Sequence, residues 1–318
     1  MRIMEKRTAG IHHITAIVGN PQENVDFYAG VLGLRLVKKT VNFDDPGTYH
    51  LYFGNEAGSP GTIMTFFPWP NAYSGKRGSG QVGVTSFVVP EGALPFWEER
   101  LYSFQIAFEK ITRFGEESLQ LMDPHGLHIE LVARSEGPAS KWSFGKVTEE
   151  VAIKGFGGVI LLSVDPERTM ELLVNGMGLE KSDTEGDFTR FRSTADLGNV
   201  IDVKLSPLPE GSMGVGIVHH IAWRAKDYED HESWRQYIGS KGYGVTQILD
   251  RQYFNAIYFR EKGGILFEIA TDPPGFTKDE SAETMGKNLL LPPWLEERRA
   301  LIEANLLPAE ARVLEEDQ

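Results

Sequence analysis

The sequence predicts an α+β fold in which four βαβββ modules pair into two cupped mixed sheets. Three observations lead there. Residues 13–34, HITAIVGNPQENVDFYAGVLGL, align without a gap on residues 158–179, GVILLSVDPERTMELLVNGMGL, so the chain repeats itself. A strand, an amphipathic helix and then short strands with turn signals recur along its whole length. Two His-His doublets, His12-His13 and His219-His220, fall on the opening strand of the first and the last of these units. A lone βαβββ unit leaves a sheet face exposed, whereas two together enclose a concave interior that can hold a ligand.

In module 1 (1–70) and module 3 (155–206) the aligned segments read as strand, turn, helix and glycine stop. Pro21 meets Pro166, Phe27 meets Leu172, and Leu32-Gly33-Leu34 meets Met177-Gly178-Leu179. Module 2 (80–134) offers a strand at Val82–Val89 and a helix at Pro95–Tyr102. A hairpin follows, from Ser118–Met122 through Asp123-Pro124-His125-Gly126 to Leu127–Ala133. Module 4 (215–272) offers a strand at Val218–Arg224 and a helix at Asp230–Ser240 that stops at Gly242. Its hairpin runs from Ala256–Arg260 through Glu261–Gly264 to Ile265–Ala270. Stretches rich in Gly, Ser, Pro or charge near 71–80, 135–154 and 206–214 read as linkers. The tail, 273–318, carries Pro292-Pro293 before a helical segment, Trp294–Leu306, whose apolar stripe suits a packing arm.

With 318 residues, 41% of them hydrophobic, the chain can build substantial cores. It has no cysteine, which excludes disulfides, thiolate nucleophiles and cysteine-based metal sites. The start, Met1–Arg7, is charged and lacks an apolar signal core, and no stretch approaches the ~20 apolar residues of a membrane span. A cytoplasmic protein is the expectation. A net charge of −13 disfavours nucleic acid and anionic membrane as partners, which directs attention to a small molecule.

Strand side chains alternate between faces, so one histidine of each doublet is expected to point into the cup. Ile14, Ala16 and Val18 share the alternation of His12, and Ile221 and Trp223 share that of His219; these apolar residues suit the face under the helices. His13 and His220 are therefore the inward pair. In Ile265-Leu266-Phe267-Glu268-Ile269-Ala270 the apolar residues alternate with Glu268, whose carboxylate would be costly on a half-buried strand unless a cation compensated it. Two imidazoles and one carboxylate form the facial triad of non-haem Fe(II) oxygenases, and Mn(II) suits similar ligands. Module 3 has Gly158 where module 1 has His13, and module 2 has Val84 or Thr85 there, so modules 1 and 4 should pair to build the site. A hairpin turning about Gly263 sets Tyr258 across from Glu268. His50 is a further candidate acid or base, and Phe66, Phe67, Trp69 and Phe254 suit an apolar pocket. Glu130 aligns with Glu268 but lacks histidine neighbours, and reads as a relic or a surface salt bridge.

Up to about Pro274 this architecture resembles the vicinal oxygen chelate superfamily, which includes glyoxalase I, fosfomycin-resistance proteins and extradiol dioxygenases. Within it, Ile11-His12-His13-Ile14-Thr15, Val218-His219-His220-Ile221-Ala222 and the run from Asp250-Arg251-Gln252-Tyr253-Phe254 to Phe267-Glu268 resemble the hydroquinone ring-cleaving dioxygenases. That resemblance implies Fe(II), with Mn(II) as the alternative, on His13, His220 and Glu268. It implies Tyr258 positioning a substrate hydroxyl or oxygen, Arg251 stabilising an oxyanion, and His12, Thr15 and His219 supporting the ligands. The partners implied are a small aromatic diol and O2, with self-association into a homo-oligomer left open. Common catechol extradiol enzymes place both histidines in modules 3 and 4, from which this chain departs. A glyoxalase or epimerase would take a fourth ligand from the last strand of module 1, but Thr62–Phe67 contains no Glu, Gln or His. A metal-free binding module would have no use for the triad.

Overall fold

The computed structural model describes residues 6–318, so Met1–Glu5 of the charged start lie outside the described residues. The first quarter contains β1 (Ile11–Val18), β2 (Arg35–Val41), β3 (Tyr49–Gly54) and β4 (Ile63–Pro68). The second contains β5 (Gln81–Val89), β6 (Phe108–Arg113), β7 (Glu116–Met122) and β8 (His128–Ala133). The third contains β9 (Gly155–Leu162), β10 (Glu180–Glu185), β11 (Phe188–Arg192) and β12 (Val200–Lys204). The last contains β13 (Ile217–Ala225), β14 (Leu249–Asp250), β15 (Phe254–Arg260) and β16 (Leu266–Pro274).

The first and last quarters share one eight-stranded sheet, ordered β14-β15-β16-β13-β1-β4-β3-β2, and the middle quarters share the other, β10-β11-β12-β9-β5-β8-β7-β6. Each sheet is joined at its centre by the two opening strands, β1 with β13 and β5 with β9, both antiparallel. The α+β class and the pairing across the chain are as the sequence predicts. No helix among the described residues is long and apolar enough to cross a membrane.

Each opening strand feeds a helix: α1 (Pro21–Val25), α2 (Leu94–Ser103), α3 (Pro166–Asn175) and α4 (Tyr228–Ser240). Side chains of Asn20, Asp165 and Asp227 cap the first, third and fourth of these by accepting bonds from backbone N–H groups of the first turn. Val25, Trp97, Leu172 and Trp234, one from each helix, enter the main core with Trp223, Phe87 and Phe156 from the sheets. The first helix departs from a plain α-helix, continuing as a π turn over Asp26–Val31. The residues of that turn after Asp26 are buried, with core on one side and the tail on the other, where Arg312 pairs with Asp26. Gly33 then adopts φ +68°, and a Cβ there would meet the Val147 side chain at 2.7 Å, so the stop is both conformational and steric.

The stretches near 71–80 and 206–214 pair with each other through bridges at Ser74–Val215, Lys76–Ser212 and Ser79–Glu210. In the tail only Arg299–Asn305 is α-helical (α5). The segment before it, Pro293–Arg298, is a 3₁₀ turn rather than part of the expected continuous helix. Leu291, Leu295 and Ile302 cover Val41 of β2, the packing role expected of the arm.

Candidate metal centre

His13 on β1 and Glu268 on β16 are both ladder partners of one residue, Ala222 on β13, from opposite sides. His220 stands two positions before Ala222 and pairs with Thr15. The methyl group of Ala222 leaves the space between these side chains open. There the Glu268 carboxylate oxygen Oε2 lies 2.9 Å from His220 Nε2 and 3.4 Å from His13 Nε2, and the two Nε2 atoms are 3.4 Å apart. The three side chains are 0%, 5% and 1% exposed, and each offers one ligand atom within 4.8 Å of the others.

The geometry tests whether a cation fits. Neither oxygen of the wholly buried Glu268 carboxylate accepts a hydrogen bond, although two imidazole nitrogens touch it. An unpaired buried carboxylate costs several kcal/mol, roughly 1–3 or more for a lost partner alone. Burial pushes its pKa up, but His13 and His220 outweigh burial and hold it well below the usual carboxylate range. The group is an anion beside two imidazoles, and one carboxylate with two imidazoles is a donor set for a divalent ion.

Both doublets differ from the alternation expected of them. The β1–β13 ladder slips between Ile11 and His13, and again between Thr15 and Ala16, where His219 is the extra residue. These bulges keep Ile11 and Ile14, and likewise Val218 and Ile221, together in the core. Strict alternation would turn one of each pair out, forfeiting roughly 1.5–3 kcal/mol per side chain. The consequence is that His12 and His219 do not join the apolar face. His12 Nδ1 sits 2.9 Å from His13 Nδ1, and His219 Nδ1 sits 2.7 Å from His220 Nδ1. An imidazole that offers Nε2 to a metal carries its proton on Nδ1 and needs an acceptor there. Burial lowers the pKa of both neighbours, with help from His13 and His220, well below the ordinary value for His12 and to about 3 for His219, so both are neutral and can accept.

A cavity of about 270 Å³ opens onto the triad. Its wall includes His13, His219, His220, Phe67, Trp69, Phe254, Tyr258 and Arg251, and its rim includes Asn42, Phe43 and Asp44. Tyr258 does face Glu268 across the β15–β16 ladder, with its ring 5.6 Å from that of His220. Burial and then Glu268 push its phenol pKa up, so it keeps its proton. Arg251 lies 5.6 Å from the Tyr258 ring and 3.1 Å from Asp44. Of the aromatics expected in the pocket, Phe66 instead packs in the core against Tyr28 and Phe53.

Thr15 does not reach the cavity wall. Its hydroxyl lies 2.8 Å from that of Thr65, which lies 2.8 Å from His50 Nε2, and His50 Nδ1 lies 2.8 Å from the Tyr52 hydroxyl. Thr65 partners Thr15 on β4 as Glu268 partners Ala222 on β16, so a threonine holds the place where a fourth ligand would stand. Tyr52 was not among the candidates. Its signal was present in the alternation of His50 and Tyr52 on one strand face, but the partner Thr65 lies on another strand.

The second sheet has no comparable opening. Glu130 is buried, which corrects its reading as a surface salt bridge. It accepts bonds from Arg113 at 2.6 Å, Ser86 at 2.9 Å and Gln120 at 3.2 Å. Charges alternate along Arg134, Glu116, Arg190, Asp202, Arg113 and Glu130 and fill the concave face. At Gly158 (φ +151°) a Cβ would lie 2.0 Å from the Val200 carbonyl oxygen, so no histidine fits where module 3 aligns with His13. Gly158→Ala is expected to lower unfolding stability by about 2 kcal/mol or more, measured in urea; an unchanged midpoint would refute that steric reading.

A model of the "Glyoxalase/Bleomycin resistance protein/Dioxygenase superfamily" matches residues 10–134 and 155–269. The chain belongs to this superfamily. Among members of known sequence, MhqO of Bacillus subtilis (strain 168), named as a ring-cleaving dioxygenase, is 65% identical over 312 residues, 98% of this chain and 100% of MhqO. The chlorohydroquinone/hydroquinone 1,2-dioxygenase of Sphingobium indicum is 35% identical over 308 residues, 93% of this chain and 95% of its own length. A crystal structure from Bacillus subtilis subsp. subtilis str. 168, described as a dioxygenase, superposes with a TM-score of 0.96 at 66% identity, covering 97% of this chain and 100% of that one.

Proposed function

We propose that the protein is a ring-cleaving dioxygenase that inserts O2 into an aromatic diol, most suitably a hydroquinone, with Fe(II) held by His13, His220 and Glu268. The observation that carries this reading is a wholly buried two-histidine, one-carboxylate cluster at the floor of an aromatic-walled cavity. The name of MhqO supports the ring cleavage, and that of the Sphingobium enzyme supports the hydroquinone. When bound, Fe(II) supplies open positions at which a diol oxygen and O2 meet, and a redox centre between them. Mn(II) suits the same ligands.

The protein's own groups bind, orient and protect. An apolar cavity of roughly 150 Å³ holds benzene, so about 270 Å³ takes one substituted ring with O2 beside it. Phe67, Trp69 and Phe254 receive the ring and exclude water. Tyr258 donates a hydrogen bond above the triad. Arg251 presents a fixed charge to the oxyanion that forms when the ring opens. His219, accepting at Nδ1, keeps its proton on Nε2 as a further donor. A lyase or isomerase needing a fourth protein ligand is disfavoured by the hydrogen-bonded Thr65 at that position. The test is to load the protein with Fe(II) without oxygen, add 2-methylhydroquinone, admit O2 and follow its uptake beside product absorbance. One O2 consumed per ring opened supports the reading. Uptake with catechol alone would keep the chemistry and change the substrate, and no uptake with either, despite bound metal, would overturn the reading.

A further inference from the structure

The two hydroxyls of a para-diol stand at opposite ends of the ring. Only one can face the triad, so the cavity wall must receive the other, whereas both hydroxyls of an ortho-diol can face the triad together. Tyr258, His219 and Arg251 are assigned above to the end of the ring that reacts beside the triad. The Tyr52–His50 pair on β3 also lines the cavity and has no part in those roles.

This pair is tightly specified. The His50 ring packs at a tilt against Tyr52, with centroids 4.0 Å apart, and against Phe67, with centroids 4.5 Å apart. Both its ring nitrogens are partnered, Nδ1 by the Tyr52 hydroxyl and Nε2 by Thr65, whose own hydroxyl meets Thr15. A neutral imidazole donates from one nitrogen and accepts at the other, so the chain has two directions. When Thr65 donates to Nε2, Nδ1–H donates to Tyr52 and frees the phenol O–H to donate into the cavity. When the direction reverses, the phenol donates to Nδ1 and its oxygen accepts from the cavity. Tyr52 is 1% exposed, so its hydroxyl has little access to bulk water as a substitute partner.

We propose that Tyr52, oriented by the positioning residues His50 and Thr65, binds the hydroxyl para to the one at the triad and so sets a preference for para- over ortho-diols. This assignment rests on the diol reading above. Its test is a binding cycle on Fe(II)-loaded protein kept free of oxygen. Dissociation constants for hydroquinone, phenol and catechol are measured with the wild type, Tyr52→Phe and Thr65→Val. In the wild type, loss of the second hydroxyl, hydroquinone to phenol, is expected to weaken binding about five- to tenfold, and in Tyr52→Phe less than about twofold. Catechol affinity should change less than about twofold in either variant. Thr65→Val, which leaves the phenol in place, should reduce the hydroquinone advantage, and Thr65→Ser should restore it. An equal hydroquinone advantage in wild type and Tyr52→Phe overturns the assignment alone. If Tyr52→Phe does not fold, an undiminished advantage in Thr65→Val overturns it. Wild-type protein that binds none of the three ligands overturns the assignment together with the diol reading.

Discussion

Glu268→Ala is expected to weaken Fe(II) binding by more than the 10- to 100-fold that loss of a supporting partner alone causes, and to remove diol-dependent O2 uptake with it. The carboxylate is the only anion of the triad, and it is buried with neither oxygen hydrogen-bonded, so no neighbouring group can take over its charge. The two remaining imidazoles share no charge with which to offset a dication in a buried site. Thermal unfolding gives a second readout that needs no substrate. A ligand present at about 100 times its Kd stabilises the folded state by about 2.7 kcal/mol, so Fe(II) or Mn(II) should raise the unfolding temperature of the wild type and leave that of Glu268→Ala unmoved. A variant that kept stoichiometric metal and the thermal shift would show that the ion is held elsewhere.

Arg190→Ala is expected to cost about 3–5 kcal/mol of unfolding free energy while leaving metal stoichiometry intact. Arg190 sits in the middle of the charge chain in the second sheet. It makes a two-point contact with Asp202 at 2.8 and 2.9 Å and also pairs with Glu116. Its removal strands Asp202, whose side chain is 3% exposed, with Arg113 at 3.2 Å as its remaining cation. Urea unfolding measures the cost, and a loss below about 1 kcal/mol would mean that the chain of charges is solvated. The same network predicts a pH effect. Burial raises the Glu116 pKa, but Arg134 and Arg190 outweigh it and hold the folded value below the ordinary one. A depressed carboxylate contributes stability that is present above its unfolded pKa, about 4.3, and is lost as pH falls through the lower folded value. The wild type should therefore lose stability below about pH 4.3 more steeply than Arg190→Ala, in which part of the stabilisation of Glu116 is already gone.

Much of the fold and of the triad was legible because the signals are local or repeated. The gapless match of 13–34 on 158–179 exposes the repeat, and the doublets in its outer copies mark where the site must be. The register that places Tyr258 opposite Glu268 follows from hairpin geometry, which depends on neighbours in the chain. Other features were not legible in this way. Alternation placed His12 and His219 with the core residues, but the bulges removed them from that face. The lack of histidine neighbours made Glu130 read as a relic or a surface salt bridge, but it is buried in an ion pair with Arg113, seventeen positions away. Thr15, expected to support the ligands, bonds Thr65, fifty positions on, a partner that strand periodicity does not reveal.

By itself the sequence determined the α+β class, the pairing of the outer and inner quarters, and the three side chains that converge, since each follows from periodicity within a strand or helix and from repetition. Only the tertiary structure decided which face each histidine of a doublet takes, which concave face stays open, and which hydroxyl His50 holds. Those outcomes are set by competition between strands far apart in the chain. There, keeping two isoleucines in the core or pairing a buried charge is worth several kcal/mol, enough to override a local rule.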